Sequence, residues 1–222
     1  MTYEILTGRT ESHLCHFAKT NFLIHREVAP PLENLFLTAR AVRGFDFRIA
    51  SAFRSFESQK QIWNQKAQGK RPILDFSGSP LDIKTMNPSE ILFAILRWTA
   101  LPGASRHHWG TDFDYFDSSA VPENYQLKLV SSEYAPRGVF ADADIWMRAN
   151  DSELGFFQPY LNDRGGTAPE AWHLSHKAIA SKYLEQYTFA VFEQNLSESD
   201  FELIDVVRAH AKDIYQRFVT NI

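Results

Sequence analysis

Cysteine is nearly absent. Cys15 is the only one in 222 residues, so no disulfide can form within the chain and stability must come from the core. Long apolar runs are missing as well. Crossing a bilayer takes ~20 apolar residues, and the best stretch, Ile91-Leu-Phe-Ala-Ile-Leu-Arg-Trp98, is short and interrupted by Arg97. The N-terminus shows no basic segment leading into an apolar one. A protein without export signal or transmembrane segment is therefore expected, cytoplasmic as written, with periplasmic or cell-wall-directed action as the alternative. Blocks of positive charge are lacking: 23 Lys and Arg face 27 Asp and Glu, a formal net charge of -4. That balance excludes the basic footprint of a nucleic-acid binder, and the short cluster Gln68-Gly-Lys-Arg-Pro72 reads as a solvated loop. Repeats and low-complexity segments are absent too.

What is present is globular in proportion, with 44% hydrophobic and 23% charged residues, and the chain is long enough to bury a sizeable core. A single domain over residues 1–222 is expected, with a core at about 28–180 and a C-terminal helical extension over 181–222. Pro30-Pro31 opens a helical pattern over Val28–Val42 that Gly44 stops, as proline suits a helix start. Phe45–Ser51 alternates as a half-buried strand. Ser55 is placed to cap a helix over Phe56–Lys66, and Ser89 opens another through Trp98. Phe113–Phe116, Gln126–Val130 and Ala171–Leu174 read as strands, and Ala143–Asn150 as a helix. Near the end, Ser199 with Glu202 has the form of a capping box, and Phe201, Ile204, Val207, Ala211, Ile214 and Phe218 follow at helical spacing. The spacing predicts an amphipathic helix packed on the domain. Together these elements give an α+β fold, helices on a small, largely antiparallel sheet.

The chemistry concentrates in two segments. Ser105-Arg-His-His-Trp-Gly-Thr-Asp-Phe-Asp114 carries two imidazoles and two carboxylates, all of them usual zinc ligands. Pro169-Glu-Ala-Trp-His-Leu-Ser-His176 adds His173, with Glu170 shortly before it. Two histidines, a carboxylate ligand and an unligated Glu make the set that metal-assisted hydrolysis requires. Neither segment contains the zincin pattern H-E-x-x-H. On a regular strand Glu170 and His173 would point to opposite faces, so a bend at Pro169-Glu170 is predicted.

The first segment resembles the S-x-H-x-x-G-x-x-x-D motif of the VanY-type D-alanyl-D-alanine carboxypeptidases, whose fold is shared with hedgehog signalling domains. Glu170-Ala-Trp172-His173 resembles their E-x-W-H motif, and Ser51-Ala-Phe-Arg54-Ser-Phe-Glu-Ser-Gln59 their S-G-Y-R-S-x-x-x-Q, with Ala52 where the family often has glycine. The matches run from about Glu33 to Ser175. The resemblance implies zinc held by His107, Asp114 and His173, with Glu170 as general base and Arg54 on the oxyanion. It leaves His108 and Asp112 to orient ligands or form the wall, and gives Ser105, Gln59 and Trp172 to substrate binding. The implied reaction removes a terminal D-alanine (D,D- or L,D-) from a peptidoglycan stem peptide by attack of an activated water. Cys15 and the serines then have no nucleophilic role. The competing readings are a zinc-stabilised, non-enzymatic binding module of the hedgehog kind and a cell-wall endopeptidase. Oligomeric state is not written in the sequence.

Overall fold

In the computed structural model, residues 1–75 and 79–222 are described. The chain opens with a short helix α1 (Tyr3–Leu6) and a hairpin of β1 (Leu14–His16) and β2 (Leu23–His25), neither of which the sequence pattern announced. Helix α2 (Ala29–Arg43) follows, with Pro at its start and Gly44 at its end in the left-handed region at φ 77°. Strand β3 (Phe47–Ser51) leads into α3 (Phe56–Ala67), capped by the Ser55 hydroxyl accepting from the Ser58 N–H. Helix α4 (Pro88–Leu96) starts one residue earlier than predicted, because Asn87 and Glu90 form its capping box. Then come β4 (Asp112–Asp117), α5 (Ser131–Tyr134), α6 (Ala141–Asn150), β5 (Phe156–Phe157) and β6 (His173–His176).

Four strands make one sheet in the order β3-β4-β6-β5, every pairing antiparallel. Its face toward Phe113, Tyr115 and Leu174 is fully buried. The aromatic residues do much of the filling: Phe47 meets Phe45, Tyr115 and Trp146, with ring centroids 5.3 to 5.8 Å apart. The register sets the site, because Asp112 pairs with Ser175 and Asp114 with His173 across β4 and β6. Side chains of paired residues share a face, so these four stand together on the side opposite Phe113. Ser51 pairs with Asp114 from β3, past a bulge between Ile49 and Ser51.

Two expectations fail. Gln126–Val130 is not a strand. Leu129 takes φ 52°, and the N–H groups of Lys128 and Val130 donate to the Glu133 carboxylate rather than to a neighbouring strand. The C-terminal segment is not one helix, nor does Ser199 begin it. Helix α7 (Lys177–Gln186) and α8 (Phe189–Glu198) precede it, and Ser199 ends α8. Beyond Leu203, which lies in the left-handed region at φ 65°, come α9 (Ile204–Ala209), α10 (Ala211–Ile214) and a π-turn over Tyr215–Val219. Glu202 does not close a capping box, since its N–H donates to Asn64 Oδ1 and its carboxylate accepts from Gln68 Nε2. The apolar stripe is nonetheless used: Phe201, Val207 and Ile214 are buried in the same cluster as Trp63 and Leu96, and Ile204, Ala211 and Phe218 pack against it half-buried. No helix among the described residues is long and apolar enough to cross a membrane.

Candidate metal centre and active site

The segment Arg106–Trp109 is a single 3-10 turn ended by Gly110 at φ 66°. A Cβ at Gly110 would stand 2.5 Å from Leu14 and 2.8 Å from the His25 backbone nitrogen, so the hairpin and the turn can close on each other only around glycine. The turn puts His107 on the sheet face that carries Asp114 and His173. His107 Nδ1 donates to the Ala52 carbonyl at 2.9 Å, which leaves its Nε2 3.7 Å from Asp114 Oδ2. Ala52 is not among the residues with positive φ, and for that reason alanine serves where the related motif often has glycine.

His173 is fixed from the other side. Its Nε2 donates to Asp112 Oδ1 at 3.0 Å, turning Nδ1 to within 3.4 Å of Asp114 Oδ1 and 3.5 Å of Glu170 Oε2. Asp112 is held in turn by Arg106 Nε at 2.6 Å and by the Thr111 hydroxyl. The predicted bend is present: Glu170 lies in the entering loop, Ala171-Trp172 form a turn, and the His173 N–H donates to the Glu170 carbonyl. Glu170 and His173 thus reach one point despite their spacing.

Ligand atoms of His107, Asp114 and His173 all lie within 4.8 Å of one another, the one such group among the described residues. The arrangement suits a cation. His173 Nδ1 and Asp114 Oδ1 are buried and have no hydrogen-bond partner, and such atoms ordinarily have one. Burial pulls the His173 imidazole toward neutrality, but the Asp112, Asp114 and Glu170 carboxylates outweigh it and hold its pKa well above the usual histidine value. Positive charge is therefore favoured at that point. Burial depresses His107 to about 4, keeping that imidazole neutral as a ligand must be. Burial raises the Glu170 carboxyl above its ordinary range, against the opposing pull of His173.

Arg54 lines the same cavity of about 380 Å³. No salt bridge joins Arg54 to a carboxylate among the described residues. Its guanidinium donates to Gln59 Oε1 at 2.8 Å and Ser51 Oγ at 3.1 Å, both neutral. Gln59 is 0% exposed and also donates from Nε2 to the Ala100 carbonyl, so it stands under Arg54 rather than on the cavity wall. Ser105 and Trp172 line the cavity. His108 is turned away, bonded to the Arg54 carbonyl and the Gly103 N–H.

Tyr160, Lys66 and Arg71 also line the wall. Tyr160 stacks edge-on against His173, centroids 4.9 Å apart, and its carbonyl accepts from the Glu170 N–H.

The family model of VanY, D-alanyl-D-alanine carboxypeptidase, matches residues 21–179. The chain belongs to the VanY D-alanyl-D-alanine carboxypeptidase family. An uncharacterized protein of Haemophilus influenzae is 36% identical over 104 residues, covering 46% of this chain and 70% of that protein. A second from the same organism is 26% identical over 121 residues, 54% of this chain and 92% of that one. Among solved structures, a mutant of the vancomycin resistance D,D-pentapeptidase VanY in complex with Zn(II) aligns with TM-score 0.53 and 23% identity, over 77% of this chain and 83% of that one. VanYB in complex with D-alanine-D-alanine aligns with TM-score 0.54 and 21% identity, over 84% and 89%. At such identity these structures speak for the fold, and the VanY family membership identifies the chain as an enzyme of the carboxypeptidase class.

Proposed function

We propose that the protein is a zinc-dependent carboxypeptidase that removes a terminal D-alanine from peptidoglycan stem peptides. The observation that carries this reading is the convergence of His107, Asp114 and His173 on one buried point, with Glu170 3.5 Å from His173 Nδ1 and Arg54 on the same cavity wall. The VanY structure solved with Zn(II) and VanYB solved with D-alanine-D-alanine support the choice of metal and of substrate.

His107 Nε2, His173 Nδ1 and an Asp114 oxygen would hold the ion, each oriented from behind by Ala52, Asp112 or the sheet register. When bound, zinc supplies Lewis acidity toward water and the scissile carbonyl. Glu170 takes the proton from the attacking water, and its upward-shifted pKa makes it a better acceptor than an ordinary carboxylate. It then hands that proton to the leaving amine. Arg54, locked by Gln59 and Ser51, presents a fixed cation to the developing oxyanion. The substrate's backbone passes Ser105 and Trp172 on the cavity wall.

Incubating the protein with D,D- and L,D-terminated muropeptides, with and without chelator, tests this. Chelator-sensitive release of D-alanine is expected. Cleavage confined to internal cross-links would make it an endopeptidase instead, and no cleavage of any peptide would contradict the reading.

A further inference from the structure

The cavity carries more positive charge than the reaction centre uses. On α3, Ile62 and Lys66 lie one turn apart on the same face and both line the wall. The Lys66 ammonium donates to Thr99 Oγ1 at 2.5 Å, and Thr99 is itself buried. Arg71 comes to the same wall because the chain folds back after α3, with the N–H groups of Lys70 and Arg71 both donating to the Gln65 carbonyl. Residues that read as a solvated loop in the sequence are thus anchored beside the site.

No ion pair within 4.0 Å joins Lys66 or Arg71 to a carboxylate among the described residues. Lys66, half-buried, and Arg71, exposed, thus present two cations to one wall with no carboxylate in direct contact, and an anion entering the cavity is drawn to both. Burial, with the Arg71 charge adding to it, pushes the Lys66 ammonium down to about 8. Of the three residues that the resemblance gave to substrate binding, Gln59 is buried with both ends of its amide taken, and Ser105 and Trp172 line the wall as uncharged groups. None of the three offers a positive charge to an anionic substrate terminus.

We propose that Lys66 and Arg71 form the subsite for the free C-terminal carboxylate of the peptide, so that the enzyme reads a chain end and not an internal bond. This rests on the peptidase reaction proposed above. A carboxylate is the anion such a substrate offers next to its last peptide bond, and Glu170 and Arg54 lie close enough to Lys66 to bias its charge. The leaving residue would then span from the scissile carbonyl at Arg54 to the ammonium at Thr99, with Thr99 setting the position of Lys66.

The test compares the zinc-loaded full chain with Lys66→Met, Lys66→Arg and Arg71→Gln on two substrates. One is an N-acylated peptide ending in D-Ala-D-Ala, the other its C-terminal amide. Lys66→Met should lose about 10- to 100-fold in kcat/KM on the free acid, mostly through KM, as expected for one charge-assisted hydrogen bond. On the amide it should change little. Lys66→Arg should recover most of the loss, and Arg71→Gln should show a smaller loss with the same selectivity. Equal losses on acid and amide, or none on either, overturn the proposal. Calorimetric binding of D-Ala-D-Ala and its amide to zinc-loaded Glu170→Ala protein, with and without Lys66→Met, gives a readout free of turnover. If the wild type cleaves neither peptide, the proposed reaction fails and calorimetry decides the subsite. Acid-selective binding that disappears with Lys66 supports it, and unselective binding overturns it.

Discussion

Asp112 Oδ1 lies 3.0 Å from His173 Nε2, and this bond decides which nitrogen of His173 faces the centre. Asp112 is fully buried between His173 and Arg106. It is kept ionised against its burial by the Arg106 charge and the His173 hydrogen bond. In Asp112→Asn the orienting bond survives in weakened form, and zinc affinity should fall by about 10- to 100-fold, read by competition with a metal-binding dye. Asp112→Ala also strands Arg106 without its partner and should cost about 3–5 kcal/mol of stability. Unchanged zinc affinity in both variants would remove Asp112 from the account.

Gln59 and Arg54 make a second dependent pair. Gln59→Met takes away the acceptor of Arg54 Nη1 and leaves the Ala100 carbonyl without its donor. Stability should drop by about 1–3 kcal/mol, and kcat should fall several-fold while zinc content stays whole. Arg54→Ala should lose about 10²–10³ in kcat, the usual loss for one oxyanion donor. Steady-state kinetics beside metal analysis separates the two variants from metal-ligand losses.

Much of this centre was legible in the sequence and some was not. The candidate ligands, Glu170 and Arg54 stand in motifs whose roles the resemblance to the VanY family implied, and the bend at Pro169-Glu170 followed from the period of a strand. Helix α2 was readable because Pro30, Pro31 and Gly44 punctuate it. The β1–β2 hairpin was not, because each strand has three residues and no period can show in so few. Gln126–Val130 has strand composition, but Glu133, a few residues on, takes its N–H groups. The C-terminal stripe gave the right buried face and the wrong continuity, since Leu203 breaks the backbone and Trp63 and Asn64 claim Glu202. Lys66 and Arg71 reach the cavity only through tertiary folding, which local pattern does not report.

The protein should be acid-labile for reasons outside the metal centre. Burial and the neighbouring His25 push His13 down to about 4, and both its ring nitrogens are buried without a partner. Burial pushes His108 to about 3. In the unfolded chain these groups titrate near 6.5, so below that pH the unfolded state binds more protons than the folded one. The stabilisation from neutral His13 and His108 is complete above pH ~6.5 and drains away toward pH ~4. Thermal denaturation of chelated protein should show Tm falling over that window, and His13→Phe, placed among Phe53, Tyr183 and His25, should flatten the fall. A Tm independent of pH between 7 and 5 would contradict this.

The central claim is that one ion held by His107, Asp114 and His173 works with Glu170 as the base. It is tested most directly by titrating metal-free protein with zinc while following D-alanine release from a D-Ala-D-Ala-terminated peptide. Activity should rise in step with zinc and level off at about one ion per chain, as expected of a single three-ligand catalytic site. Glu170→Ala should bind the same amount with release reduced by about 10²–10⁴, and His173→Ala should bind little. Release that persists in excess chelator, or near-normal release by Glu170→Ala, would contradict the account.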